Sequence, residues 1–180
     1  MPLLRLFGRK RLERAGFALY TEAVRSARDP YFYAELEVPD TLDGRFDMIG
    51  LFVFLLIDRL HTVSESGAAL AQAVFDAMFL DMDFALREMG VSDMTVGRRV
   101  KAMWEALNGR SQAYAAPLAA GDRAGLAAAL SRNVWRGAEP GPHALALADV
   151  AIRQRAHLAG QSLDALLQGR VAFLPAPAVA

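Results

Sequence analysis

The sequence predicts an all-α fold, a single-domain bundle of about six to seven helices. Three observations carry that expectation. Between Leu70 and Leu107 apolar side chains recur every third or fourth residue, the period of one helix face. From Met48 to Ile57 the chain is apolar for ten residues in succession, so this segment has no polar face to show to water. No stretch keeps up the strict alternation of a half-buried strand, and no internal repeat is visible.

Composition narrows the function classes. At 180 residues one sizeable core is expected, and the 54% hydrophobic content is high. The chain has no Cys, which excludes disulfides, thiolate metal sites and cysteine nucleophiles and is compatible with a reducing compartment. A net charge of zero hides segregation. Residues 1–28 carry seven basic and two acidic side chains, residues 29–94 three and thirteen, and residues 95–180 ten and five. Such asymmetry points to contact surfaces, or to parts of the chain that attract one another. No secretory signal is evident, and the apolar run, about 15 Å long as a helix, is too short to cross a bilayer. The expected location is cytoplasmic, with peripheral contact at the inner membrane left open.

The first 14 residues form a basic arm, PLLRLFGRKRLER after Met1, in which Arg5, Arg9, Lys10 and Arg11 are candidates for an anionic surface, lipid headgroups or RNA; a frayed terminus is the alternative. A helix is expected from about Leu12 to Ala27, burying Leu12, Leu19, Ala23 and Val24 with Phe17 and Tyr20 on its shoulders. Asp29-Pro30 ends it, and the aromatic, acidic stretch that follows reads as a loop packed down by Tyr31, Phe32 and Tyr33. Asp40 or Thr41 opens the next helix, which runs to about His61, with Asp43 and Asp47 favourable near its positive end and Gly50 allowing a close backbone approach.

After a break at 61–67, a helix with Leu70, Val74, Met78, Met82, Leu86 and Met89 on its stripe leads to Gly90. Asp93 is placed to cap a second helix carrying Val96, Val100, Met103 and Leu107, which Pro117 closes. Residues 15–116 make up the helical core. Residues 117–180 add Ala-rich helices to the same domain: one capped by Asp122, one from His143 to about Leu158 after Pro142, and a short one over 163–168. The tail VAFLPAPAVA lies extended over the bundle through Phe173 and Leu174.

The corner between the two central helices is more highly charged than a bare hairpin requires. On the face opposite the apolar stripe, Asp76, Asp83 and Arg87 fall together, Glu88 flanks the stripe, and Asp83 can pair with Arg87. Leu80 and Phe84 project onto this charged side, which suggests a covered face, either under another helix of the chain or under a partner. Asp76 and Asp83, about 10 Å apart on one face, allow acid–base work in principle, but a cation beside Asp83 is the wrong tuning for a general acid.

Metal and nucleotide chemistry lack their residues. His61, His143 and His157 lie on different elements, Asp76, Asp81 and Asp83 point to two faces, and there is no P-loop, GxGxxG or GxSxG. No cofactor is expected. Arg98, Arg99 and Lys101 open a helix against its dipole, so an acidic partner, or Asp76 and Asp83 of this chain, is their natural complement. With only Trp104 nearby to stack on bases, sequence-specific nucleic-acid binding is not expected.

The segments DTLDGRFDMI (40–49), FDAMFLDMDFALREMGVSDMTVGRRVKAM (75–103) and NGRSQAY (108–114) resemble the ubiquinol–cytochrome c chaperone family, over about Tyr20 to Tyr114. The resemblance implies an all-helical, non-enzymatic assembly chaperone of the bc1 complex that shelters cytochrome b or another bc1 subunit, works with a small co-chaperone, and sits at the ribosome or peripherally on the membrane. The partner face would combine Asp76, Leu80, Asp83, Phe84, Arg87 and Glu88 with the corner of Asp40, Asp43 and Arg45. Two departures from the family pattern, Phe52 in place of a His and Phe84 in place of a polar residue, are expected to make the surface more apolar. The competing reading is a carrier or enzyme for a small hydrophobic ligand, quinone or haem, held in the bundle interior.

Overall fold

Helix α3 (Leu42–His61) is the element on which the others rest: every residue from Phe46 to Leu56 is shielded from water, and α1, α4, α5 and α7 all pack against it. The computed structural model describes residues 2–61, 64–137 and 139–177, with side chains from Gly8 onward. Among these residues there is no strand. The helices are α1 (Pro2–Ala27), α2 (Pro30–Ala34), α3, α4 (Glu65–Glu88), α5 (Asp93–Ala120), α6 (Arg123–Leu130), α7 (Pro142–Ala159) and α8 (Leu163–Leu167), with a π-helical turn over Ser131–Trp135. An apolar face on all sides can be buried only at the centre, and α3 occupies that place.

Helix α1 begins at Pro2, about three turns before the expected start, because Leu, Arg and Lys favour helix and Arg9 pairs with Glu13 one turn on, at 2.9 Å. It lies along α4 closely enough that a Cβ on Gly16 would sit 2.6 Å from the Ala73 backbone. Tyr20 is buried and donates to Asp81 at 2.7 Å, whereas Phe17 is exposed and Leu12 and Val24 are only partly covered. Asp29-Pro30 ends α1 as expected but also starts α2: Asp29 Oδ1 accepts from Tyr31 N at 3.0 Å, and Pro30 takes the first helical position, where its missing N–H costs nothing. The stretch read as loop is therefore partly helical, and its Phe32 is buried edge-on to Phe52, with centroids 5.7 Å apart.

Thr41 caps α3, its Oγ1 accepting from Gly44 N at 3.1 Å. Gly50 does not admit a backbone; its neighbour is the Leu107 side chain, 3.0 Å from where a Cβ would stand. Gly90, at φ +79°, turns the chain between α4 and α5, with Val91 N donating to Leu86 O at 3.1 Å. Ser92, not Asp93, occupies the capping position, and Asp93 is the first residue of α5. Met89 lies past the last turn and is exposed, so the apolar stripe ends at Leu86.

Helix α5 continues through Pro117 to Ala120. The proline sits in the last turn, where one lost hydrogen bond is tolerated, and Gly121 at φ +66° makes the stop. Asp122 caps α6 as expected, accepting from Gly125 N at 2.9 Å, but the helix widens into the π turn before Arg136, at φ +57°, ends it. The tail is extended and held by two glutamines. Gln154 bonds both the N–H and the C=O of Leu174, at 2.9 and 2.8 Å, and Gln161 does the same for Ala172. Phe173 then packs edge-on against Phe52 at 5.3 Å. Phe52 is thus a core residue between α2 and the tail, and it does not make the surface more apolar, contrary to the expectation from the sequence.

Candidate functional site

The end of α4 positions the expected face. Leu80 and Phe84, one turn apart, are 57% and 59% exposed, so no helix of the described chain covers them. Around them Arg87 Nε donates to Asp83 at 2.6 Å, and a second guanidinium nitrogen reaches Asp93, so one arginine ties α4 to the start of α5 across the Gly90 turn. Asp76 accepts from Gln72 at 2.7 Å, and Glu88 is exposed. Met94, 96% exposed, extends the uncovered apolar surface past the turn. Asp81 belongs to the scaffold: burial, then its hydrogen bond, push the Tyr20 phenol well above its ordinary range.

The Asp40–Arg45 corner is a separate feature. Arg45 Nε donates to Asp40 at 2.6 Å and holds that carboxyl below its ordinary range, with Asp43 exposed beside them. No hydrogen bond or ion pair among the described residues links this corner to Asp76, Asp83, Arg87 or Glu88. Arg98, Arg99 and Lys101 are exposed; Lys101 faces Glu105 at 3.8 Å, and Asp83 is taken by Arg87. Of the N-terminal cations, Lys10 and Arg11 are exposed and Arg9 is engaged with Glu13, while the Arg5 side chain lies outside the described residues. No group of three or more His, Asp or Glu is arranged to hold a metal among the described residues.

Two features were not foreseen. An open, mainly apolar groove of about 610 Å³ runs between α4 and α5 over α3, lined by Val53, Phe54, Ile57, Phe75 and Trp104, with Asp58, His61, Asn108 and Gln112 among its polar residues. It is a surface cleft, whereas Met48 and Met78 of the interior are fully packed. The second is a buried charge cluster. Asp47, 1% exposed, lies 2.7 Å from Arg110 Nη2 and accepts from Arg136 Nη1 at 2.9 Å, while the Arg110 guanidinium stacks over the Phe46 ring at 5.5 Å. Burial raises the Asp47 carboxyl to about 6 although both arginines pull it down. A lone Asp between Phe46 and Met48, in an apolar segment, was the available signal.

Helices without a strand among the described residues, folded on one apolar helix and presenting exposed apolar side chains ringed by charge, define an all-α bundle whose candidate site is a surface and not an enclosed pocket. The chain belongs to the ubiquinol-cytochrome C chaperone family, which it matches over residues 34–173. It is similar to the ubiquinol-cytochrome-c reductase complex assembly factor 1 of Xenopus laevis, 25% identical over 173 residues that cover 94% of this chain and 85% of that one. It also resembles the crystal structure of the Cbp3 homolog from Brucella abortus, with a TM-score of 0.83, 38% identity and 96% of each chain covered. In the described residues no helix is long and apolar enough to cross a membrane.

Proposed function

We propose that this protein is an assembly chaperone for the ubiquinol–cytochrome c reductase (bc1) complex, acting by binding and not by catalysis. Its client is newly made cytochrome b or another bc1 subunit, held alone or with a small co-chaperone near the ribosome. Family membership and the name of the Xenopus laevis relative support the process. The observation that carries the mode of action is the exposed pair Leu80 and Phe84 set among Asp76, Asp83, Arg87 and Glu88. Apolar anchors ringed by charge exclude water on docking and fix the orientation of a partner. The Asp40, Asp43 and Arg45 corner serves as a second contact. Pull-down from membranes of the source cell is expected to recover a bc1 subunit, and Leu80→Asp with Phe84→Asp is expected to abolish recovery. Undiminished recovery by the folded double variant removes this face from the reading.

The groove between α4 and α5 favours a second reading, a carrier for a hydrophobic small molecule such as quinone or haem, because its volume and aromatic walls suit such a ligand. Saturable binding of a quinone or of haem is the observation that would establish it.

A further inference from the structure

The turn after α8 is seated on α1: Gly169, at φ +75°, lies so close that a Cβ there would stand 3.0 Å from Ala18 Cβ and 3.2 Å from Ala15 Cα. Leu166 is fully buried beneath it. This contact leaves a basin of about 690 Å³ beside α1, lined by Lys10, Arg11, Arg14, Ala15, Leu167 and Gln168. A neighbouring hollow shares Arg11 and Leu167 and continues past Leu12 to Ala69 at the start of α4. Arg9 is engaged with Glu13, but no ion pair holds Lys10, Arg11 or Arg14 among the described residues. Among the acids on the lining elements, Glu13 is already paired, Glu65 is on the rim of the second hollow, and Asp164, in α8, lies one turn before Leu167 and Gln168.

We propose that this basic end of the bundle is where the protein rests on a membrane of anionic phospholipids, with headgroup phosphates among Lys10, Arg11 and Arg14 and acyl methylenes against Leu12 and Leu167. The inference rests on the assembly-chaperone reading and gives it a place of work. Three unpaired cations around one opening complement phosphate diesters, and two guanidiniums supply paired donors for their oxygens. Ala15 and Leu167, with Leu12 in the adjoining hollow, suit acyl chains, and among the described residues no aromatic side chain lines the basin to stack a base. Because α1 and α4 lie side by side, with α1 residues 8–12 beside Glu65 and Tyr20 beside Asp81, the basic hollows and the Leu80–Phe84 face lie toward opposite ends of α4, Glu65 being about 22 Å along the helix from Leu80 and about 28 Å from Phe84. A client surface at that distance stays clear of the headgroups.

Sedimentation of the full chain with vesicles tests this. Binding is expected to phosphatidylcholine vesicles containing phosphatidylglycerol, not to phosphatidylcholine alone, and to weaken with salt. Joint substitution Lys10→Gln, Arg11→Gln and Arg14→Gln is expected to weaken it about a hundredfold. Arg25→Gln with Arg28→Gln, at the far end of α1 and beyond a Debye length of about 10 Å, is expected to change it by less than about threefold. Equal binding to neutral vesicles, an unaffected triple variant, or tighter binding to single-stranded RNA through the same cations overturns the proposal. Client recovery is read separately, so a triple variant that captures client normally and a wild type that ignores vesicles would fail the membrane site alone.

Discussion

Arg136 Nη1 meets the fully buried Asp47 Oδ2 at 2.9 Å, across 89 residues of sequence. Arg136 holds a left-handed backbone at φ +57°, and the preceding Trp135 donates its indole N–H to Leu36 O at 3.0 Å. The turn that ends the π segment is thus fastened both to α3 and to the chain leading into it. Asp47 neutralises only one of its two arginine partners, so the cluster sits in the bundle with a net positive charge.

Stability is expected to depend on pH through Asp47. Its carboxyl is raised by burial from 3.8 to about 6, so between those values the folded state holds a proton that the unfolded chain has released. This group's contribution is therefore most favourable at low pH, falls as pH rises from about 4 to about 6, and is flat above, by about 3 kcal/mol at most. Urea denaturation of wild type and Asp47→Asn across that range measures it as a difference. Asp40 and Asp149, held low by Arg45 and Arg123, work in the opposite direction at lower pH and cancel in the comparison.

Arg136→Ala removes one partner of a buried carboxylate and is expected to cost about 1–2 kcal/mol, less than a fully buried pair because the arginine is half exposed. Arg136→Gly loses the same pair but relieves the left-handed backbone, so it is expected to be about 1 kcal/mol more stable than the Ala variant. The two urea midpoints check the order.

Gly16→Ala is expected to destabilise by about 1–3 kcal/mol, because the added methyl meets the Ala73 backbone and cannot be accommodated by a rotamer change. Thermal unfolding reads this directly.

Gln154→Ala is expected to release the tail. It leaves the Leu174 N–H and C=O without their partners, costs about 1–2 kcal/mol, and speeds hydrogen exchange at Leu174 before the helices are affected.

The groove reading is checked by Trp104, which is 44% exposed on its wall. If the protein acts by protein–protein docking, a soluble quinone at roughly tens of micromolar gives no saturable quenching of Trp104, read as the difference between wild type and Trp104→Phe. Saturable quenching transfers the argument to the small-ligand carrier.

Much of the local structure could be read from a few neighbouring residues. The helical period of α4, the Thr41 and Asp122 caps, the Gly90 turn and Pro142 at the head of α7 involve groups within about one turn of each other, where backbone geometry leaves few choices. The projection of Leu80 and Phe84 away from the apolar stripe follows from 100° per residue in the same way. Boundaries were harder: nothing local decided whether Pro117 would close α5, or how far toward Met1 the first helix would extend.

Whether the charged face is covered, and which polar residues go inside, depended on how the helices meet. Asp47 reads as an acid that favours a helix start, yet α5 and the end of the π turn supply two arginines to it inside the bundle; Phe52 reads as surface, yet the tail reaches back to it through Phe173. Periodicity and capping are energies of contact within a turn, so they are written in consecutive residues. Burial and ion pairing across the bundle are set by which faces exclude water from one another, and that is decided only when distant segments pack.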